Sequence, residues 1–188
     1  YEGLKRYHCD AEAAAFALKS LRMFEQNWVN NNAICENYNM FSGAGGDVWN
    51  SDTGYGWGAL LAGLALQELI DVEPWSHCLR VGTLSQQDWG VRAYRVGKDV
   101  YRVRTAYDGL RVERNGAVWL TSSSPIVVRC EEFGAAPLRL KTHADRPGTL
   151  RVHGLRPGAR VHVHGGAART TVAADAHGVA AISYDVAS

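Results

Sequence analysis

Between residues 34 and 61 the chain reads ICENYNMFSGAGGDVWNSDTGYGWGALL, and Glu36 is the carboxylate in it best placed for chemistry. It is followed by the amides Asn37 and Asn39 and the ring of Tyr38. A general base needs its carboxylate held by donors and partly shielded from water, and such neighbours can provide both. The same residue could instead accept backbone N–H bonds or pair with an arginine. Asp47 and Asp52 are candidates for a second carboxylate, although Ser51-Asp52-Thr53-Gly54 is also good turn chemistry and Asp52 could cap the helix that follows. Tyr38, Trp49, Tyr55 and Trp57 could stack on the apolar face of a sugar ring or pack in a core. Gly43, Gly45 and Gly46 suit a tight path close to a ligand or a neighbouring helix. A phosphate loop is a weak reading of them, because no strand precedes them and no Lys-Ser/Thr follows.

Elsewhere, His162 and His164 are two apart on an expected strand and point to one face, with His143 and His153 on nearby strands. A metal would need a third ligand that the pattern does not identify, so neither metal nor cofactor is expected. There is no Gly-x-Ser-x-Gly elbow. Cys9, Cys35, Cys78 and Cys130 are widely spaced with no CxxC pair, which reads as free thiols and slightly favours a reducing, cytoplasmic setting.

The elements that must position Glu36 are two helices and a set of strands. DAEAAAFALKSLRMFEQNWVNN, from Asp10, reads as a helix with Asp10 as N-cap and Glu12 suiting the dipole in its first turn. Ala14, Leu18, Leu21 and Trp28 form its apolar stripe. A second helix is expected from about Trp57 to Asp71, stopped by Pro74. It has almost no polar face, which predicts burial on all sides. After Trp75 the period switches to two. Ten short runs, from WGVRAYRVG to VAAISYDV, alternate Arg or Lys with Val, Leu and Tyr and are separated by Gly, Pro and Asn-Gly, as in an antiparallel β-sandwich. Asn115-Gly116 is the strongest hairpin turn among them.

These elements place a boundary near residue 75, with a helical part over 1–75 and a β-sandwich over 76–188. Two helices and a loop cannot enclose a helix that is apolar all round, so further helices are expected from an upstream region or another chain. The N-terminal YEGLKRYHCD lacks an initiator Met and a basic-then-apolar leader, which reads as the interior of a longer chain or a processed end. With 20 Lys+Arg against 19 Asp+Glu, no long-range field would draw in nucleic acid or an anionic membrane. The most apolar run falls well short of the roughly 20 residues that span a bilayer, so no membrane association is expected.

The order "ENYN", then "SGAGGD", then "TGYGWGALL" resembles the last catalytic segment of the (α/α)6-barrel glycoside hydrolases of the trehalase and family 63 α-glucosidase type, including the mannosylglycerate hydrolase-like branch. The resemblance covers about residues 10 to 75. It implies an α+β chain, the last helices of an (α/α)6 toroid followed by the sandwich. It implies that Glu36 is the general base of an inverting hydrolase acting on a carbohydrate. Asn37, Tyr38, Asn39 and the Gly43, Gly45 and Gly46 loop would line the pocket, and Tyr55 and Trp57 would stand at its mouth. The general acid, an Asp far upstream in these families, would come from a missing region or a partner chain. Two other readings remain open, a noncatalytic carbohydrate-binding or structural module and a fragment of a polysaccharide lyase.

Overall fold

The computed structural model describes residues 1–131, 138–165 and 168–185. Three α-helices lie among them, α1 (Glu2–Arg6), α2 (Asp10–Asn31) and α3 (Leu60–Leu69), the last preceded by a 3-10 turn, Gly56–Ala59. The strands are β1 (Ile70–Val72), β2 (Leu79–Val81), β3 (Trp89–Val96), β4 (Asp99–Ala106), β5 (Gly109–Arg114) and β6 (Ala117–Ser122). They continue with β7 (Val127–Glu131), β8 (Leu138–His143), β9 (Gly148–Val152), β10 (Arg160–Gly165), β11 (Ala168–Ala173) and β12 (Ala180–Tyr184). Each of the ten runs read from period-two alternation coincides with one of the strands β3 to β12, with β7 and β11 each extending one residue beyond its run.

Two six-stranded sheets result, one ordered β1-β2-β7-β8-β10-β11 and the other β12-β9-β6-β5-β4-β3. The chain changes sheet between β2 and β3, β6 and β7, β8 and β9, β9 and β10, and β11 and β12. Pairing is antiparallel except between β8 and β10, which run parallel because β9 crosses to the other sheet between them. Val81, Val128, Leu140 and Val161 of the first sheet share one core with Tyr101, Val112, Leu120 and Leu150 of the second. The two sheets therefore face one another in a sandwich-like arrangement. At the β5–β6 hairpin Asn115 and Gly116 both take positive φ, 53° and 82°, as a two-residue type I′ turn requires.

The expectation of an α+β chain ending an (α/α)6 toroid is overturned. The molecule is mostly β, about 39% strand and 23% helical, and no toroid helices are present among the described residues. The second apolar stretch is not one long helix. It divides into the 3-10 turn, the ten-residue α3 and β1, and leaves helical geometry at Ile70 (φ −154°, ψ 132°), before Pro74 is reached. Ile70 and Val72 are β-branched and pair with Val81 and Leu79, so the sheet takes up the end of this stretch. Leu69 and Ile70 are buried in the sandwich core, while Trp57 remains 72% exposed and Leu60 65% exposed. Burial on all sides does not hold.

On α2 the bounds agree with the apolar periodicity, but two side chains differ from expectation. Trp28 is half exposed, and Asp10 is not the N-cap; Cys9 occupies that position. Asp10 is the first helical residue, wholly inaccessible to solvent, and accepts hydrogen bonds from Arg129 Nη1 and Nη2 at 2.8 and 2.7 Å. His143 Nδ1 is 2.9 Å from its Oδ2, and Arg80 Nη2 is 3.5 Å from its Oδ1. Arg129 also bonds Glu73, and Arg80 bonds Glu68, whose other partners are Thr83 and Tyr1. Lys5 pairs with Asp71. Sheets that face water on one side alternate in burial, yet β2 and most of β7 are buried throughout. The reason is that Arg80 and Arg129 on their outer face are met by acids, Asp10 of α2, Glu68 of α3 and Glu73 just past β1, while Lys5 O of α1 also accepts from Arg129.

Burial pushes the Asp10 carboxyl upward, but hydrogen bonds from His143 and Arg129 and the charges of both arginines overcome this and hold it well below the usual carboxylate range. Its stabilisation is therefore full above the unfolded value near 3.8 and is lost as pH falls through the lower folded value. Asp10→Ala leaves two buried guanidinium groups short of an acceptor and should cost about 3–5 kcal/mol in urea unfolding at pH 7. The difference between wild type and variant should shrink as the titration is taken below about pH 4.

Candidate functional site

The stretch from Asn32 to Tyr55 is irregular but tightly tied. Asn32 closes α2 in the left-handed conformation (φ 47°), its N–H donating to Trp28 O and the next N–H, of Ala33, to Asn27 O. Two isolated bridges, Ile34 with Gly54 and Tyr38 with Gly45, then fold the stretch back on itself. Glu36 N–H donates to Asp52 O at 2.9 Å, and Tyr55 N–H donates to Ile34 O at 2.9 Å. The Cys35 N–H donates to Tyr38 Oη at 3.0 Å, so the phenol is turned inward against its own loop.

The glycine segment is held by one side chain of α2. Asn27 is buried; its Nδ2 donates to Gly43 O at 2.7 Å and to Met23 O at 2.8 Å, and its Oδ1 accepts from Gly45 N–H at 2.7 Å. A Cβ at Gly45 would run into Cys35 Sγ and Asn27 Oδ1, which accounts for glycine there. Gly43 and Gly46 turn the chain at φ +72° and +71°. At Gly58 a Cβ would stand 2.6 Å from Ile34 Cγ2 and 2.9 Å from Cys35 O, so the start of the 3-10 turn and the segment leading to Glu36 approach too closely for a side chain.

A cavity of about 540 Å³ opens between this loop, α2 and the start of α3. Glu36, Asn37, Tyr38, Tyr55 and Trp57 line it, together with Phe16, Lys19, Ser20 and Met23 of α2. Its size falls within the range of small-molecule sites. Glu36 is exposed at its edge, with Asp52 N–H 3.4 Å from Oε2. Lys19 Nζ donates to Met40 O at 3.2 Å, which fixes an amine within the same cavity. Among the described residues, Glu36 is the one carboxylate that lines it.

Other residues expected at a pocket lie elsewhere. Asn39 does not line the cavity; its Oδ1 accepts from Phe41 and Ser42 N–H at 2.9 Å each and builds the turn into the glycines. Gly43, Gly45 and Gly46 lie outside the lining as well, with Gly43 and Gly45 held at the α2 side of the loop by Asn27. Asp52 does not cap the helix, since Tyr55 precedes the 3-10 turn; it forms an Asx turn onto Gly54 N–H at 2.8 Å. Trp49 is 95% exposed and Asp47 is exposed. His162 contacts Thr171 at 2.8 Å, His153 contacts Thr121 at 3.0 Å and His143 serves Asp10, so the histidines do not converge. No group of three potential metal ligands occurs among the described residues. The four cysteines are unpaired, and burial pushes the Cys130 thiol up to about 12.

Phe16, Lys19, Ser20 and Asn27 were not singled out from the sequence as site residues. Their spacings of three, one and seven put Phe16, Ser20 and Asn27 near one side of α2, a signal hidden by their mixed polarity. Asn27→Ala removes two hydrogen bonds to the loop and one to Met23 O of its own helix, and leaves the Gly45 N–H without its acceptor. A loss of about 1–3 kcal/mol is expected, with faster amide exchange at residues 43–46 while α2 keeps its protection.

A scan against protein-family models and searches of curated proteins and of solved structures gave no match to this chain.

Proposed function

We propose that this chain carries the base half of an inverting glycoside hydrolase site, with Glu36 as the general base. The observation that supports this reading is the shared cavity: a single carboxylate stands beside the rings of Tyr38, Tyr55 and Trp57, a combination suited to an apolar sugar face and an activated water. In the reaction a water gives its proton to the Glu36 carboxylate while its oxygen forms a bond to the anomeric carbon. The glycosidic C–O bond breaks on the opposite face, and a second carboxylic acid protonates the departing oxygen. The product is a sugar of inverted anomeric configuration.

The cavity lining offers no second carboxylate, so the acid comes from a further surface, an upstream segment or another chain. The rim supports such a surface. Trp57 and Met40 line the cavity and are largely exposed, and Leu60 follows at the start of α3. An apolar rim around a polar group is a common mark of a contact site. Covering it would also shield Glu36 from bulk water. A carboxyl brought to roughly 6.5–9.5 Å from Glu36 would leave room for the attacking water.

A noncatalytic carbohydrate-binding role is the second reading, favoured by the present exposure of Glu36 and by its contact with the Asp52 backbone. Activity of the assembled protein on glucosides, with the product anomer followed by NMR, separates the two. Glu36→Gln should lower kcat by about 10²–10⁴-fold with sugar affinity kept. Undiminished turnover removes Glu36 as the base, and sugar binding without any turnover by the wild type selects the binding module.

A further inference from the structure

On the solvent face of the second sheet, strand register sets Arg104 opposite Arg111, Arg111 opposite Thr121, and Thr121 opposite Arg151. With strands about 4.8 Å apart, this row is roughly 14 Å long. Like charges directly opposite one another destabilise a sheet, and the alternate positions Val103, Val112 and Leu120 already supply the core. The local acids hold two of its three arginines in exposed pairs. Asp88 accepts from Arg104 Nε and Nη2 at 3.3 and 3.1 Å, and Glu113 is shared between Arg111 at 3.1 Å and Arg102 at 3.5 Å. The Arg104–Asp88 pair and both arginines on Glu113 are exposed, a setting in which such pairs are weak and easily exchanged. Arg151 has no acidic partner among the described residues.

The row borders a cavity of about 380 Å³ whose lining includes Arg104, Arg111, Asp108, Thr121 and Ser122. Two guanidinium forks match a carboxylate, while the Thr121 hydroxyl and the Asp108 carboxylate match the hydroxyl groups of a ring. Asp108 would repel a phosphate chain but can accept from a sugar hydroxyl. His153 reports on the same field. Its Nε2 is 3.0 Å from Thr121 Oγ1, and burial, then Arg151, then Arg111, push its protonation downward. No residue is shared with the Glu36 cavity.

We propose that this cavity is a binding site for an acidic sugar, with Arg104 and Arg111 on the carboxylate of a uronate and Thr121 and Asp108 on its hydroxyls. The site does not rest on the hydrolase reading and stands if that fails. D-glucuronate titrated into the wild-type protein should give saturable NMR shifts at His153 and Thr121. Its negative charge should raise the pH at which His153 titrates. Arg111→Gln should weaken binding at least tenfold, and Glu36→Gln should leave it unchanged. Arg104→Gln carries the same expectation should Arg111→Gln lose its native spectrum. Equal affinity for glucose, equal shifts from sulfate (an adventitious ion only), tighter binding of single-stranded DNA, or glucuronate affinity retained in the arginine variant would each overturn the proposal.

Discussion

The contact between Asp10 and the two guanidinium groups of Arg80 and Arg129 holds the helical layer to the first sheet. Arg80 and Arg129 are placed by β2 and β7, and both point away from the sandwich core into a region closed to water. An isolated charge there would be costly, so these strands require a covering layer that brings acids. Asp10 at the start of α2, Glu68 at the end of α3 and Glu73 just past β1 provide them. The same pairing thus fixes both ends of the segment from which Glu36 is suspended. Apolar contact adds little here, since the small cluster of Ala14, Leu84 and Val127 is modest beside the sandwich core.

From that anchor the site follows by short steps. α2 presents Asn27, which clamps the glycine turn, and the turn in turn holds the loop segment that carries Glu36 and Tyr38. Gly58 lets the start of the second helical stretch close against Ile34 and Cys35. Tyr55 and Trp57 then stand across the cavity from α2. Precision at the carboxylate depends on backbone hydrogen bonds within an aperiodic loop rather than on a regular element, and small residues are needed wherever two backbones meet.

Much of the β architecture was legible because period-two alternation and turn residues are local. β3 to β12 follow from them, and Asn115-Gly116 fixes its hairpin through two positive φ values. β1 and β2 were not legible: IDV and LRV are three residues each, too short for their alternation to be told from chance, and Arg80 argues against a buried strand unless its partners are known. The parallel pairing of β8 with β10 depends on where β9 goes, which is a tertiary fact. The helices failed in a different way. Periodicity gave the bounds of α2, yet Asp10 proved buried and Trp28 exposed, because the covering sheet presents arginines and not leucines. At the site, composition marked Glu36 and the aromatics, whereas the amine of Lys19 and the clamp of Asn27 arrive from a helix many residues earlier and leave no local trace.

The repeated changes of sheet have a kinetic side. A chain that passes between two layers five times along its length laces them together, so neither layer can be completed before the other has begun to form. The β8–β10 pair is the clearest stitch, since the chain between its two strands passes through the opposite sheet as β9. Such a seam favours slow, all-or-none assembly dominated by contacts distant in sequence. Once closed, it resists peeling from any free edge, because loosening one strand pulls on both layers at once.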